Sequence, residues 1–70
     1  MREWTPEEIK NLRKRLKAPQ WRFAELLGVT RVYVNYLEKG VKTPSMTLKL
    51  LLNYVERDLR NKKPRKGKEG

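Results

Sequence analysis

Cysteine and histidine are both absent from this 70-residue chain. Without cysteine, no disulfide can staple the fold and no thiolate can bind zinc. Without histidine, the commonest metal ligand and the commonest general base are missing. Acidic side chains are scarce, with 8 Asp and Glu against 18 Lys and Arg. Those carboxylates show no paired arrangement of the kind acid–base catalysis uses. The single serine, Ser45, falls where a helix needs a cap. No enzyme activity is expected, and no cofactor, metal or small-molecule ligand. No apolar run approaches the ~20 residues of a membrane span. The opening MREWTPEE is too charged for a secretory leader. A cytoplasmic protein without membrane contact is the expectation. Seventy residues suffice for one small domain whose modest core leaves little room for a deep cavity.

What the chain has in excess is positive charge. The formal net charge is +10, which favours a polyanionic partner. Its distribution is informative. From Arg60 to Gly70 six basic residues face one acid, for +5. Residues 1–59 carry the other +5, from 12 basic and 7 acidic side chains. The part expected to fold is therefore basic without the tail. The domain is expected to span 1–59. Residues 60–70, charged and devoid of apolar side chains, are expected to form a basic tail, disordered when free. An arm on that polyanion and an inert tail are both open readings of it.

The spacing of apolar residues predicts four helices and no strand. Thr5 is placed as an N-cap, with Pro6 at the first helical position and Glu8 closing a capping box. Trp4 and Ile9 are placed for a hydrophobic staple. Ile9, Leu12 and Leu16 continue one stripe, so helix 1 is expected over about 6–17. Ala18-Pro19 breaks it. Helix 2 follows over about 20–27, with Phe23, Ala24 and Leu27 inward and Gly28 as a left-handed end. Thr30 caps helix 3, about 31–38, which buries Val34 and Leu37. Val29 plugs the turn before it. Gly40 ends it. Val41 to Pro44 is a loop, and Ser45 caps helix 4. That helix carries Leu48, Leu51, Leu52, Val55 and Leu59 toward the core, and Leu50 and Tyr54 on another face.

Helices 2 and 3 have the layout of a helix-turn-helix. A close helix crossing needs a small residue, and Ala24 is small. A turn of about three residues needs a positive φ, which Gly28 tolerates. The second helix needs an apolar wedge, and Val34 fits. Each residue alone has an ordinary structural reading; the three together at these offsets form a motif.

Gln20, Phe23-Ala24, Leu27-Gly28-Val29-Thr30, Val34, Leu37-Glu38, Gly40 and Pro44 resemble the Cro/phage-repressor (Xre-type) helix-turn-helix family almost position for position. Leu12 and Arg13 upstream, and Ser45 with Leu51-Leu52 downstream, extend the likeness over roughly 6–57. The resemblance implies an all-α, lambda-repressor-like four-helix bundle. There are departures. Pro19 stands where many members have a capping Ser or Thr. Trp21 and Leu26 stand where they are usually polar. One longer fourth helix stands in place of two, which looks more like the compact regulators of the HigA antitoxin kind.

Resemblance and groove geometry together place the start of helix 3 against base edges. The expected base contacts are Thr30, Arg31, Val32, Asn35 and Tyr36. Arg31 can bond guanine O6 and N7 together, Val32 suits a thymine methyl, and Asn35 matches adenine N6/N7 from the second turn. The expected phosphate contacts are Gln20, Arg22, Tyr33, Lys39, Lys42 and Thr43, with Gln20 opening a helix whose N-terminus attracts anions. Packing is the alternative for both tyrosines, and a generic basic surface for the cations. In similar repressors the positions of Arg13 and Glu38 form an internal ion pair.

The expected partner is double-stranded DNA, bound as a sequence-specific transcriptional repressor. The alternative is an antitoxin that autorepresses its operon and binds a toxin protein. Met46, Leu50 and Tyr54 are a candidate surface for a homodimer or for that partner. Trp21 and Leu26 are a second candidate patch, with packing against helix 1 or 4 as the alternative.

Overall fold

The computed structural model describes residues 3–61. Among these, the chain forms α1 (Pro6–Arg15), α2 (Gln20–Leu27), α3 (Arg31–Lys39) and α4 (Met46–Asn61), with no strand. The fold is an all-α helix-turn-helix bundle. The segment from Lys62 onward, most of the expected basic tail, lies outside the described residues.

Each helix starts as its sequence dictates. Thr5 Oγ1 accepts the Glu8 N–H at 3.2 Å, Thr30 Oγ1 accepts that of Tyr33 at 3.1 Å, and Ser45 Oγ accepts that of Leu48 at 3.2 Å. Each satisfies a donor that the first helical turn cannot satisfy itself, for about 1 kcal/mol. α2 is the exception. Pro19 holds the cap position in an extended conformation but offers no side-chain acceptor.

Three helices end in one way. After α2, Gly28 adopts φ 73°, and the Val29 N–H returns to the Ala24 carbonyl at 3.0 Å. After α3, Gly40 adopts φ 79°, and the Val41 N–H returns to Tyr36 at 2.9 Å. After α1 the left-handed residue is Lys17, at φ 56°, and the Ala18 N–H returns to Arg13 at 3.3 Å. All three are Schellman-type ends. α1 therefore stops at Arg15, short of the Lys17 expected from its apolar stripe, because Lys17 turns left-handed. Two smaller differences concern exposed helix ends. α3 includes Lys39, and α4 runs through Arg60 to Asn61, so the helix extends past the boundary expected at 59.

The core gathers one face of every helix. Ile9 and Leu12 come from α1, Phe23, Ala24 and Leu27 from α2, Val34 and Leu37 from α3, and Leu48 and Leu52 from α4. Burying one such large aliphatic or aromatic side chain contributes about 1.5–3 kcal/mol. The peripheral ion pairs, Arg15–Glu56 at 3.8 Å and Lys49–Glu3 at 3.9 Å, are long and contribute at most about 1 kcal/mol each. Packing, not surface charge, holds the bundle. Leu16, Val29, Leu51, Val55 and Leu59 pack at its margin, only partly buried. Trp4 is buried with Ile9 in the same cluster, and its Nε1 donates to Asn53 Oδ1 at 2.9 Å. The segment before α1 is thereby fastened to α4.

Candidate nucleic-acid interface

Ala24, Gly28 and Val34 occupy the places that the helix-turn-helix layout requires. Ala24 and Val34 are buried in the core, and the glycine makes the left-handed turn between α2 and α3. α3 is pinned on its inner side by Val34 and Leu37, both fully buried. Tyr33, half-buried, packs against the same cluster.

A polar clamp fixes α3 from the other end. Arg13 on α1 donates Nε to Glu38 Oε2 at 2.7 Å and Nη2 to Glu38 Oε1 at 3.2 Å. This is the two-pronged guanidinium–carboxylate geometry. Arg13 Nη1 also donates to the Ala18 carbonyl at 3.1 Å. Gln20 Nε2 donates to Glu38 Oε1 at 3.1 Å. The Glu38 side chain is only 4% exposed, and three donors from α1 and α2 surround it. Its charge is thereby compensated and withdrawn from the surface.

Gln20 thus has a task that its sequence position did not announce. One amide hydrogen is engaged with Glu38; an amide nitrogen carries two. The second is not taken by that bond. Pro19 gives α2 no side-chain cap, and the N-terminus of a helix attracts anions.

The outward side of this unit is open and basic. Thr30, Arg31, Val32 and Tyr36 are exposed and Asn35 is half-buried. Arg22, Lys39, Lys42 and Thr43 are exposed around them. Between Gln20 and Pro44 four exposed cations, Arg22, Arg31, Lys39 and Lys42, face one exposed carboxylate, Glu25. An exposed, rigidly backed, positively charged helix beside an uncapped helix N-terminus can enter a groove lined by phosphates.

A family model described as helix-turn-helix, of the Cro/C1 type, matches residues 9–62. The chain belongs to the Cro/C1-type helix-turn-helix family. No curated protein and no solved structure matches it. As a member of this helix-turn-helix family it is a DNA-binding transcriptional regulator. No helix among the described residues is long and apolar enough to cross a membrane.

Away from the helix-turn-helix, α4 exposes Met46, Leu50 and Tyr54, at 61%, 51% and 65%. They recur every fourth residue and so form one stripe, on the side away from Leu48 and Leu52. Trp21 and Leu26 are exposed to about half, so neither is taken up by packing against α1 or α4. They do not form one patch, because five positions on a helix set side chains about 140° apart. Arg22 and Glu25 separate them. Glu8 and Glu56 line a cavity of about 350 Å³ between α1 and α4, with Trp4, Asn11, Leu12 and Arg15. The sequence suggested no such meeting of carboxylates. Arg15 lies 3.8 Å from Glu56 there, as a cation paired with it.

Proposed function

We propose that this regulator is a sequence-specific repressor that reads its operator with the outward face of α3 in the major groove. The observation that carries the reading is the division of α3 into two sides. Val34, Leu37 and Glu38 are committed to the protein interior. Arg31, Val32 and Tyr36 are left exposed, with Asn35 beside them. Arg31 is the principal base reader, taking guanine O6 and N7. Gln20, Arg22, Lys39, Lys42 and Thr43 fix the register on phosphates, with the Tyr33 hydroxyl at their edge. Occupying the operator excludes the polymerase, and that is the repression.

The α4 stripe supports a second copy as partner. Placed antiparallel about a two-fold axis at Leu50, the stripe is self-complementary. Leu50 meets Leu50, and Met46 meets Tyr54 twice, a sulfur–aromatic pairing. Three side chains fall short of the ~800 Å² per partner of a stable interface. Two chains of charge +10 also repel each other. The pair therefore forms on DNA, where phosphates neutralise that charge. A toxin protein is the alternative occupant of the stripe.

Selection of bound duplexes from random DNA tests the whole reading. The expected result is a motif arranged as an inverted repeat. Arg31→Ala should then flatten preference at one position, by about 1–3 kcal/mol, while leaving weak salt-sensitive binding. Full discrimination by that variant would remove Arg31 as the base reader. A motif without symmetry would remove the second copy.

A further inference from the structure

The exposed part of α3 carries two parallel rows of side chains. Arg31 and Asn35 lie four residues apart and make one row; Val32 and Tyr36 lie four apart and make the next. The first row can hydrogen-bond. The second presents an isopropyl group and an aromatic ring, 49% and 39% exposed. Neither is claimed by the core of its own chain. Apolar side chains at the centre of a DNA-facing surface need their own explanation, because such interfaces are otherwise rich in polar and basic groups.

Only one chemical group in the major groove satisfies an apolar reader. Guanine, adenine and cytosine present donors or acceptors there, and thymine adds its C5-methyl. Pressing valine onto a donor or acceptor strips it of water and returns no hydrogen bond. Pressing it onto a methyl removes apolar surface from water on both sides. Val32 and Tyr36 are about 6 Å apart along the helix. That is close to two base steps of ~3.4 Å each, so the row can address methyls on base pairs two steps apart.

We propose that Val32 and Tyr36 form a methyl-reading row, and that the operator is selected at two positions, two base steps apart, for a pyrimidine C5-methyl rather than for a hydrogen-bonding edge. The proposal rests on α3 being the reading helix. It adds the chemical class of what that helix reads. It also gives the protein a sensitivity that a purely hydrogen-bonding reader lacks. At these positions 5-methylcytosine is a better ligand than cytosine, so enzymatic cytosine methylation of a degenerate site raises its occupancy.

The test uses the motif obtained by selection, the full chain, and single replacements of thymine by deoxyuridine, which delete the methyl and nothing else. One thymine, or two thymines two base steps apart, should each lose about fourfold in affinity, the value of burying one methyl-sized group. Val32→Ala should bind the thymine and uracil duplexes alike at one of these positions, and Tyr36→Ala at the other. Both variants are checked for unchanged melting, which their exposure leads one to expect. A motif whose thymines all tolerate uracil would overturn the methyl-reading row while leaving α3 as the reader. So would a Val32→Ala protein that retains the full thymine preference. Failure to enrich any motif would overturn the row together with the repressor reading on which it stands.

Discussion

Arg13 holds Ala18 by both of its backbone groups: its carbonyl accepts the Ala18 N–H at 3.3 Å, and its guanidinium donates to the Ala18 carbonyl at 3.1 Å. The helix cannot continue through a residue clamped in this way. The chain reverses at Lys17, which takes the left-handed conformation that α2 and α3 give to glycine.

That conformation costs a lysine about 1 kcal/mol or more, because Cβ crowds the following carbonyl. Lys17→Gly should therefore stabilise the protein by about 1 kcal/mol. For a domain of this size that raises the melting temperature by roughly 5 °C. Thermal melts followed by circular dichroism measure it. A drop in melting temperature would mean that the ammonium group at the helix end outweighs the backbone strain.

Gly28 offers the reverse experiment. Its φ is 73°, and a Cβ built on it meets nothing within 4 Å. The cost of Gly28→Ala is thus conformational alone, about 1 kcal/mol. Gly28→Asn should cost less, since asparagine visits this region more readily. Gly28→Val, branched at Cβ, should cost most. Denaturant midpoints at a constant slope give the order. Equal losses for all three would point to a steric contact instead of strain.

The Arg13–Glu38 pair is a larger lever. Removing one partner of a buried pair costs about 3–5 kcal/mol, because the other charge remains without compensation. At ~0.05–0.15 kcal/mol per residue the whole domain has only about 4–10 kcal/mol of stability. Glu38→Gln should leave the protein marginal. It keeps an acceptor for Gln20, so the loss falls mainly on Arg13. The double variant Arg13→Met, Glu38→Leu should recover much of that stability while weakening DNA binding, because Gln20 loses the carboxylate that orients it. Denaturation and duplex titration on the same samples separate the two effects. A double variant as unstable as the single one would locate the loss in packing.

Local chemistry was readable from the residues, and long-range chemistry only where the family resemblance supplied it, as for Arg13 and Glu38. Thr5, Thr30 and Ser45 reveal helix starts because a short hydroxyl before a periodic apolar run has few other uses. Gly28 and Gly40 reveal helix ends because a positive φ favours glycine. Lys17 carries no such mark; its left-handed turn accompanies the two hydrogen bonds that join Arg13 to Ala18 across the end of α1. The Trp4–Asn53 hydrogen bond joins residues 49 positions apart, and neither residue type announces the other. Gln20 is legible as the start of α2. Its partner, Glu38, belongs to another helix and enters reach only when α1, α2 and α3 have packed. At the interface, charge and exposure follow from helical periodicity. The identity of the bases read does not, because it depends on a duplex that is no part of the chain.

Salt dependence counts the phosphates this surface engages. Each contact contributes about 0.9 to the slope of log affinity against log salt concentration. Lys39→Gln and Lys42→Gln should each lower that slope by about one unit. They should weaken binding evenly across sequences, since a lysine on phosphate carries no base information. Neither should change stability by more than about 0.5 kcal/mol, both being exposed. Truncation after Asn61 removes five further cations, Lys62, Lys63, Arg65, Lys66 and Lys68. It should lower the slope further while leaving helicity intact. Affinity unchanged at every salt concentration would show that the segment stays off the DNA, and would leave α2, α3 and the loop between α3 and α4 as the whole of the phosphate grip.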